Sequence, residues 1–188
     1  MDVKQFLKII HLMEGLKDVP RHAYTSGGRR ESVAEHSWRI SLMALFLKDE
    51  FPQADINRVI EMCLIHDLGE IFTGDIPAFL KTQEDVAAED RALENWVSTL
   101  PEPYCQKLRA LYAEMNALES LEAKVYKALD KMEAVIQHNE SSLNTWEVME
   151  YDMNRSYAYD AVEFSDYLKE LRDELRRETD AKIEGAKN

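Results

Sequence analysis

The chain has 188 residues, 45% of them hydrophobic and 31% charged, which is enough for one ordinary domain around a single core. Only six glycines and five prolines exclude a turn-rich β fold, and the plentiful Ala, Leu, Glu and Lys favour helices. A formal net charge of −13 repels nucleic-acid polymers and anionic membranes, while a small phosphorylated substrate stays possible where a metal and a few basic side chains reverse the local potential.

In chain order, a first helix is expected over about residues 2–16, with Val3, Phe6, Leu7, Ile10 and Met13 as its apolar stripe. Gly15 and Pro20 close it into a loop through Arg29-Arg30. Ser32 with Glu35 is a capping-box pattern that starts a second helix near Val33, ending near Phe51-Pro52. A third helix is expected from Ile56 to Leu68, then a tight loop over residues 71–77. Further helices are expected at about 83–99, 104–116 and 119–140, and a charged C-terminal helix near 155–180. The predicted fold is an all-α, single-domain helical bundle spanning residues 1–182, its core at about 5–140, its C-terminal extension at 155–182 and a frayed tail at 183–188. Two cysteines do not make a disulfide framework, and Cys63 reads as a core residue. With neither a leader pattern nor an apolar run of membrane length, a cytoplasmic location is expected.

Several polar residues sit in the wrong phase for a plain bundle. Asp67 follows Leu64 by three and Cys63 by four, so it extends the apolar stripe of the third helix, and His36 does the same on the second helix, with Ile40 and Met43. A carboxylate facing a core without a partner costs several kcal/mol, roughly. His66 is next to Asp67, about 100° around the helix. Asp130 borders the Val125-Leu129-Met132-Ile136 stripe, in a half-buried phase. Taken singly, each has an ordinary reading as a hydrogen-bonded core residue or a cap. Together, imidazoles and carboxylates suit one divalent ion such as Mn²⁺, Co²⁺, Fe²⁺, Ni²⁺ or Zn²⁺. Four protein ligands on an octahedral ion leave positions for water and a substrate oxygen.

The ordered set His36, His66-Asp67 and Asp130 resembles the signature of HD-domain phosphohydrolases. Local words sharpen the likeness: Glu31-Ser32-Val33-Ala34-Glu35-His36-Ser37, Ile65-His66-Asp67-Leu68-Gly69-Glu70, Gly74-Asp75-Ile76-Pro77, and Glu122-Ala123-Lys124 before Leu129-Asp130-Lys131. They resemble the branch containing bacterial 5′-deoxynucleotidase and its eukaryotic relatives, over about residues 5–140. That resemblance implies hydrolysis of deoxyribonucleoside 5′-monophosphates, ions such as Co²⁺ or Mn²⁺, and a homodimer. It also implies that Glu70 lies near the attacking water, that Asp75 is a second essential acid at the phosphate, and that Arg21 binds the phosphate. The next position, often a tryptophan or another group packing on the sugar, is His22 here, with Tyr24 nearby.

Spacing supports Glu70 independently: if the helix continues that far, Glu70 shares a side with His66 and Asp67. Its ordinary reading is a solvated helix end, and that of Asp75 a Gly-Asp turn. Lys81, Lys131, Arg29 and Arg30 are weaker candidates for neutralising phosphate, and Gly27-Gly28 would let their loop close over a ligand. His11 reads as satisfied by a local hydrogen bond and His138 as exposed, and the extra histidines that two- or three-metal members of the wider superfamily carry are not found, so one metal is expected. Rival readings are an HD phosphohydrolase acting on nucleoside triphosphates, cyclic nucleotides or guanosine tetraphosphate, a metal-retaining binding module without turnover, and a structural bundle. An amphipathic C-terminal segment (Tyr157, Phe164, Tyr167, Leu168, Leu171, Leu175) can either dimerise or pack on its own core.

Overall fold

The structure, a computed structural model, describes residues 1–186. Helix α1 (Val3–Met13) leads through a 3₁₀ turn into a short hairpin of strands β1 (Pro20–Tyr24) and β2 (Arg30–Ser32). Then come α2 (Val33–Phe46), α3 (Ile56–Ile65) and the single turn α4 (Glu70–Thr73). After these follow α5 (Gln83–Val97), α6 (Tyr104–Ala117) and α7 (Leu121–Glu140). The chain finishes with α8 (Glu150–Ser156), the short α9 (Tyr159–Val162) and α10 (Asp166–Gly185). The all-α expectation holds, with two additions. The 21–30 segment, expected as a loop, is a hairpin pairing Pro20 with Ser32 and Tyr24 with Arg30. The 71–77 loop contains a helical turn.

Helix starts follow local chemistry. The Ser32 side chain accepts from the Glu35 N–H, and Glu35 accepts from the Ser32 N–H, so two otherwise orphaned donors at the start of α2 are satisfied. Thr82 and Asp85 repeat the arrangement on α5, while Asp55 and Ser120 cap α3 and α7.

Helices α2, α3 and α7 pack against one another and form the core. Ile40, Ala44, Val59, Met62, Cys63, Leu129 and Met132 are fully buried there. Full burial of each larger aliphatic side chain contributes about 1.5–3 kcal/mol. Helix α10 lies across α7, α8 and α9, and its Leu168 and Leu175 join this core. The expected single C-terminal helix is interrupted: Ala158 takes a left-handed φ of 73° between α8 and α9. At the other end α10 runs through Gly185 with Ile183 buried, past the point where fraying was expected; Lys187 and Asn188 lie outside the described residues. Among the described residues, no helix is long and apolar enough to cross a membrane.

Candidate metal centre and adjoining pocket

The α3 helix ends at Ile65, three residues before its expected end, and the chain tightens into i→i+3 turns: Leu68 N–H donates to Ile65 C=O and Glu70 N–H to Asp67 C=O. The last carbonyls of α3 have no intrahelical partner and are satisfied from outside. Cys63 C=O accepts from His66 Nδ1 at 3.0 Å, and Ile65 C=O accepts from the Tyr112 hydroxyl at 2.7 Å. The shared-helix-face argument for Glu70 therefore does not apply, because no continuous α-helix connects it to His66. Glu70 is nonetheless buried, at the first position of α4.

Four predicted side chains meet where α2, the α3 turn and α7 converge. His36 Nε2 is 3.2 Å from Asp130 Oδ1 and 4.0 Å from Asp67 Oδ2. His66 Nε2 is 2.8 Å from Asp67 Oδ2 and 3.6 Å from Asp130 Oδ1. One ligand atom each from His36, His66 and Asp67 lies within 4.8 Å of the others.

Ring orientation decides whether this donor set suits a cation. His36 Nδ1 is 2.5 Å from Glu133 Oε2, and His66 Nδ1 faces the Cys63 carbonyl. Each ring thus donates its Nδ1–H outward, which leaves the Nε2 lone pair for the shared centre. His66 Nε2 is buried and, although close to Asp67, makes no well-directed hydrogen bond. Two inward nitrogens and two carboxylates fit a divalent ion of the borderline-to-hard class.

The electrostatics agree. Burial disfavours the His66 imidazolium, but Asp67 and Asp130 outweigh it and raise its pKa to about 10. Burial opposes ionisation of Asp67 and Asp130 too, yet His66 holds Asp67 low, and Lys127, His36 and His66 hold Asp130 well below the usual carboxylate range. Protons therefore occupy the positive role that a cation would take.

Around this set the sequence reading missed two residues. Glu133 is fully buried and joins His36, Arg21 (3.0 Å) and Arg39 (3.7 Å). Its signal was present: it follows Leu129 by four, the apolar phase that marked Asp67. Lys127, rather than Lys131, pairs with Asp130, at 2.7 Å. Lys131 turns away to Asp160, and the exposed Arg29 pairs with Glu35.

Beside the centre, a pocket is lined by Arg21, His22, Asp75 and Asp130, with apolar walls from Ala23, Pro77, Phe79, Val135, Met153 and Tyr157. Arg21 enters it from β1, with one guanidinium nitrogen held by Glu31 (2.7 Å) and Glu133. Burial and the Asp67 and Asp75 charges push Glu70 up to about 9, with Lys81 3.9 Å away as a partial counterion. Burial also raises Asp75, against the pull of Arg21. His138, expected to be solvent-exposed, lines the same pocket and pairs with Glu150 at 2.9 Å.

Inward-facing imidazoles and carboxylates beside an arginine-bearing pocket define the class: a metal-dependent phosphohydrolase. The sequence profile of the HD domain matches residues 13–172, and the chain belongs to that family. Bovine 5′-deoxynucleotidase HDDC2 is 34% identical, over 97% of this chain and 90% of its own length. The human protein of the same name is 33% identical, over 73% of this chain and 68% of its own. A predicted metal-dependent phosphohydrolase from Magnetospirillum magnetotacticum, of known crystal structure, superposes with a TM-score of 0.79 at 27% identity, covering 97% of this chain and 95% of that one.

Proposed function

We propose that the enzyme releases phosphate from nucleoside 5′-monophosphates, with a preference for the deoxy series, using one divalent ion held by His36, His66, Asp67 and Asp130. The observation that carries this reading is the outward engagement of both Nδ1 atoms, which leaves both Nε2 atoms beside Asp67 and Asp130, the latter also lining the Arg21 pocket. The ion, one of Mn²⁺, Co²⁺, Fe²⁺, Ni²⁺ or Zn²⁺, supplies acidification of water and polarisation of a phosphoryl oxygen when bound. Arg21 binds the phosphate, since Glu31 and Glu133 fix its orientation from behind. Glu70 accepts the proton of the attacking water; a cation near its carboxylate opposes the burial that otherwise keeps it protonated. Asp75, whose burial favours its neutral form, donates a proton to the departing 5′ oxygen. Lys81 contacts the substrate beside these groups, His22 contacts it farther along the pocket, and Lys131 stays an outer contributor of positive potential.

The names of the relatives support the substrate class. Self-association as a homodimer fits α1, which buries none of its residues and exposes Val3, Phe6, Leu7 and Ile10. The C-terminal segment is a poorer candidate, because Leu168 and Leu175 are spent on the chain's own core.

The test is phosphate release from ribo- and deoxyribonucleoside mono-, di- and triphosphates, with Mn²⁺ or Co²⁺ and with chelator. Monophosphate cleavage that disappears with chelator supports the reading. Turnover confined to triphosphates, or metal-independent turnover, contradicts it.

A further inference from the structure

The pocket does not end at the phosphate. Asp130, Ala134 and His138 all line it and follow one another at four-residue intervals along α7, so it tracks that helix for two turns. Eight residues at 1.5 Å each separate Asp130 from His138 by about 12 Å along the axis. A span of that length is comparable to a nucleoside 5′-monophosphate laid along the helix with its phosphate at the Asp130 end.

At this far end sits a second polar cluster that the phosphate chemistry does not use. Glu150, at the start of α8, is only 3% exposed. Its Oε1 is 2.9 Å from His138 Nε2 and 3.1 Å from His22 Nε2, and its Oε2 accepts from the Glu147 N–H at 2.6 Å. His138 Nδ1 already faces the Ala134 carbonyl at 2.9 Å. Both nitrogens of His138 therefore look at oxygen acceptors, so its ring is held in place from both sides. Burial opposes the Glu150 charge, but the His138 and Glu147 contacts outweigh it and keep the carboxyl below its ordinary range. His22 Nε2, in contrast, is buried and makes no well-directed hydrogen bond. The cluster thus presents a carboxylate acceptor and a ring nitrogen without a well-directed hydrogen bond side by side, in a pocket that Met153 and Phe79 also line, with Phe79 meeting the His22 ring edge-on at 5.5 Å.

We propose that Glu150, with His22 and His138 positioning it, reads the base edge of the substrate and selects bases carrying an exocyclic amino group. An amino group beside a ring nitrogen matches a carboxylate beside an imidazole nitrogen. A base with a carbonyl at that position sets oxygen against the carboxylate. This inference rests on the nucleoside monophosphate reading above. A site built to hydrogen-bond a donor penalises the analogue lacking it because its own buried groups stay unpaired.

The cleanest probe is dCMP against dUMP, which differ only at C4 (amino against carbonyl) and in the hydrogen that uracil carries on N3, with 2-deoxyribose 5-phosphate as the base-free reference, all assayed with Mn²⁺. For the unaltered enzyme, kcat/KM for dCMP should exceed that for dUMP by about tenfold or more. Glu150→Gln should lower kcat/KM for dCMP by about the same factor, bring the ratio near unity, and leave 2-deoxyribose 5-phosphate unchanged. An equal fall on all three substrates means that Glu150 only supports the fold, and no change means that the base does not reach it; either overturns the proposal. Binding of deoxycytidine against uncharged deoxyuridine to the unaltered enzyme, by calorimetry, needs no variant, and equal affinities overturn it as well. If the unaltered enzyme cleaves the sugar phosphate and all nucleotides alike, only this inference fails. If it cleaves no monophosphate, the underlying function fails and takes the inference with it.

Discussion

Glu133→Gln isolates the residue that orients His36. In the folded enzyme Glu133 Oε2 accepts from His36 Nδ1–H at 2.5 Å and from the Arg21 guanidinium at 3.0 Å, and no part of Glu133 meets solvent. Glutamine keeps the volume and one acceptor, but removes the charge that favours the Nδ1–H tautomer and places an amide N–H₂ against Arg21 or His36. Outer partners of this kind are worth about 10–100-fold in metal affinity, or about 1.4–2.8 kcal/mol. Alanine would instead remove one of the two carboxylates on Arg21 and the Nδ1 partner of His36, and breaking such a buried pair costs about 3–5 kcal/mol, a large share of a stability of roughly 5–15 kcal/mol. Calorimetric titration with Mn²⁺ should therefore show Glu133→Gln binding about 10–100-fold more weakly with its helical content intact, and turnover should recover at high Mn²⁺. Unchanged affinity in a folded variant would refute the claim that Glu133 sets the imidazole for a cation.

Glu70→Gln should lower kcat by about 10²–10⁴-fold while Mn²⁺ content stays at the unaltered level; near-normal turnover removes Glu70 from proton transfer. In chelator, stability should fall as pH rises: the folded His66 pKa of about 10 lies above its ordinary 6.5, so its contribution is full below 6.5 and lost on the way to 10. Glu70, raised from 4.5 to about 9, acts in the same direction, losing its contribution from 4.5 upward. Added Mn²⁺ replaces those protons, so the Tm gain it confers should grow from pH 6.5 to 9, measured by calorimetric scans; a gain that shrinks with pH contradicts this linkage. Phe6→Asp with Ile10→Asp on the exposed face of α1 should shift the protein toward monomer in sedimentation, with its own core undisturbed, and an unchanged sedimentation profile rules out α1 as the interface.

How far the sequence carried depended on whether the information was periodic or came from the way the chain folds back. His36 and Asp67 stood out because helical phase put them among apolar residues, and the three helices bearing the centre were legible from their stripes. Glu133 obeys the same rule, yet it was passed over among neighbouring charges. The hairpin had no alternating pattern to betray it, since its strands are short and rich in polar residues. Glu150 lies in a run with Glu147 and Asp152 that reads as a solvated face. Only the return of α8 across α7, clamped by the buried Arg172 donating to the Tyr157 and Asn154 carbonyls, turns it into the pocket. The break at Ala158 left no glycine to signal a left-handed residue. Leu64 shows the reverse error, since it sits on the predicted apolar stripe and is 49% exposed.

Crystals grown with Mn²⁺ and measured at its absorption edge give the most direct test of the four-residue centre. The account predicts one strong anomalous peak within coordination distance of His36 Nε2, His66 Nε2, Asp67 and Asp130. A peak placed instead among Glu31, His36 and Glu133, a second acid–imidazole grouping among the described residues, or no peak at either place, contradicts it.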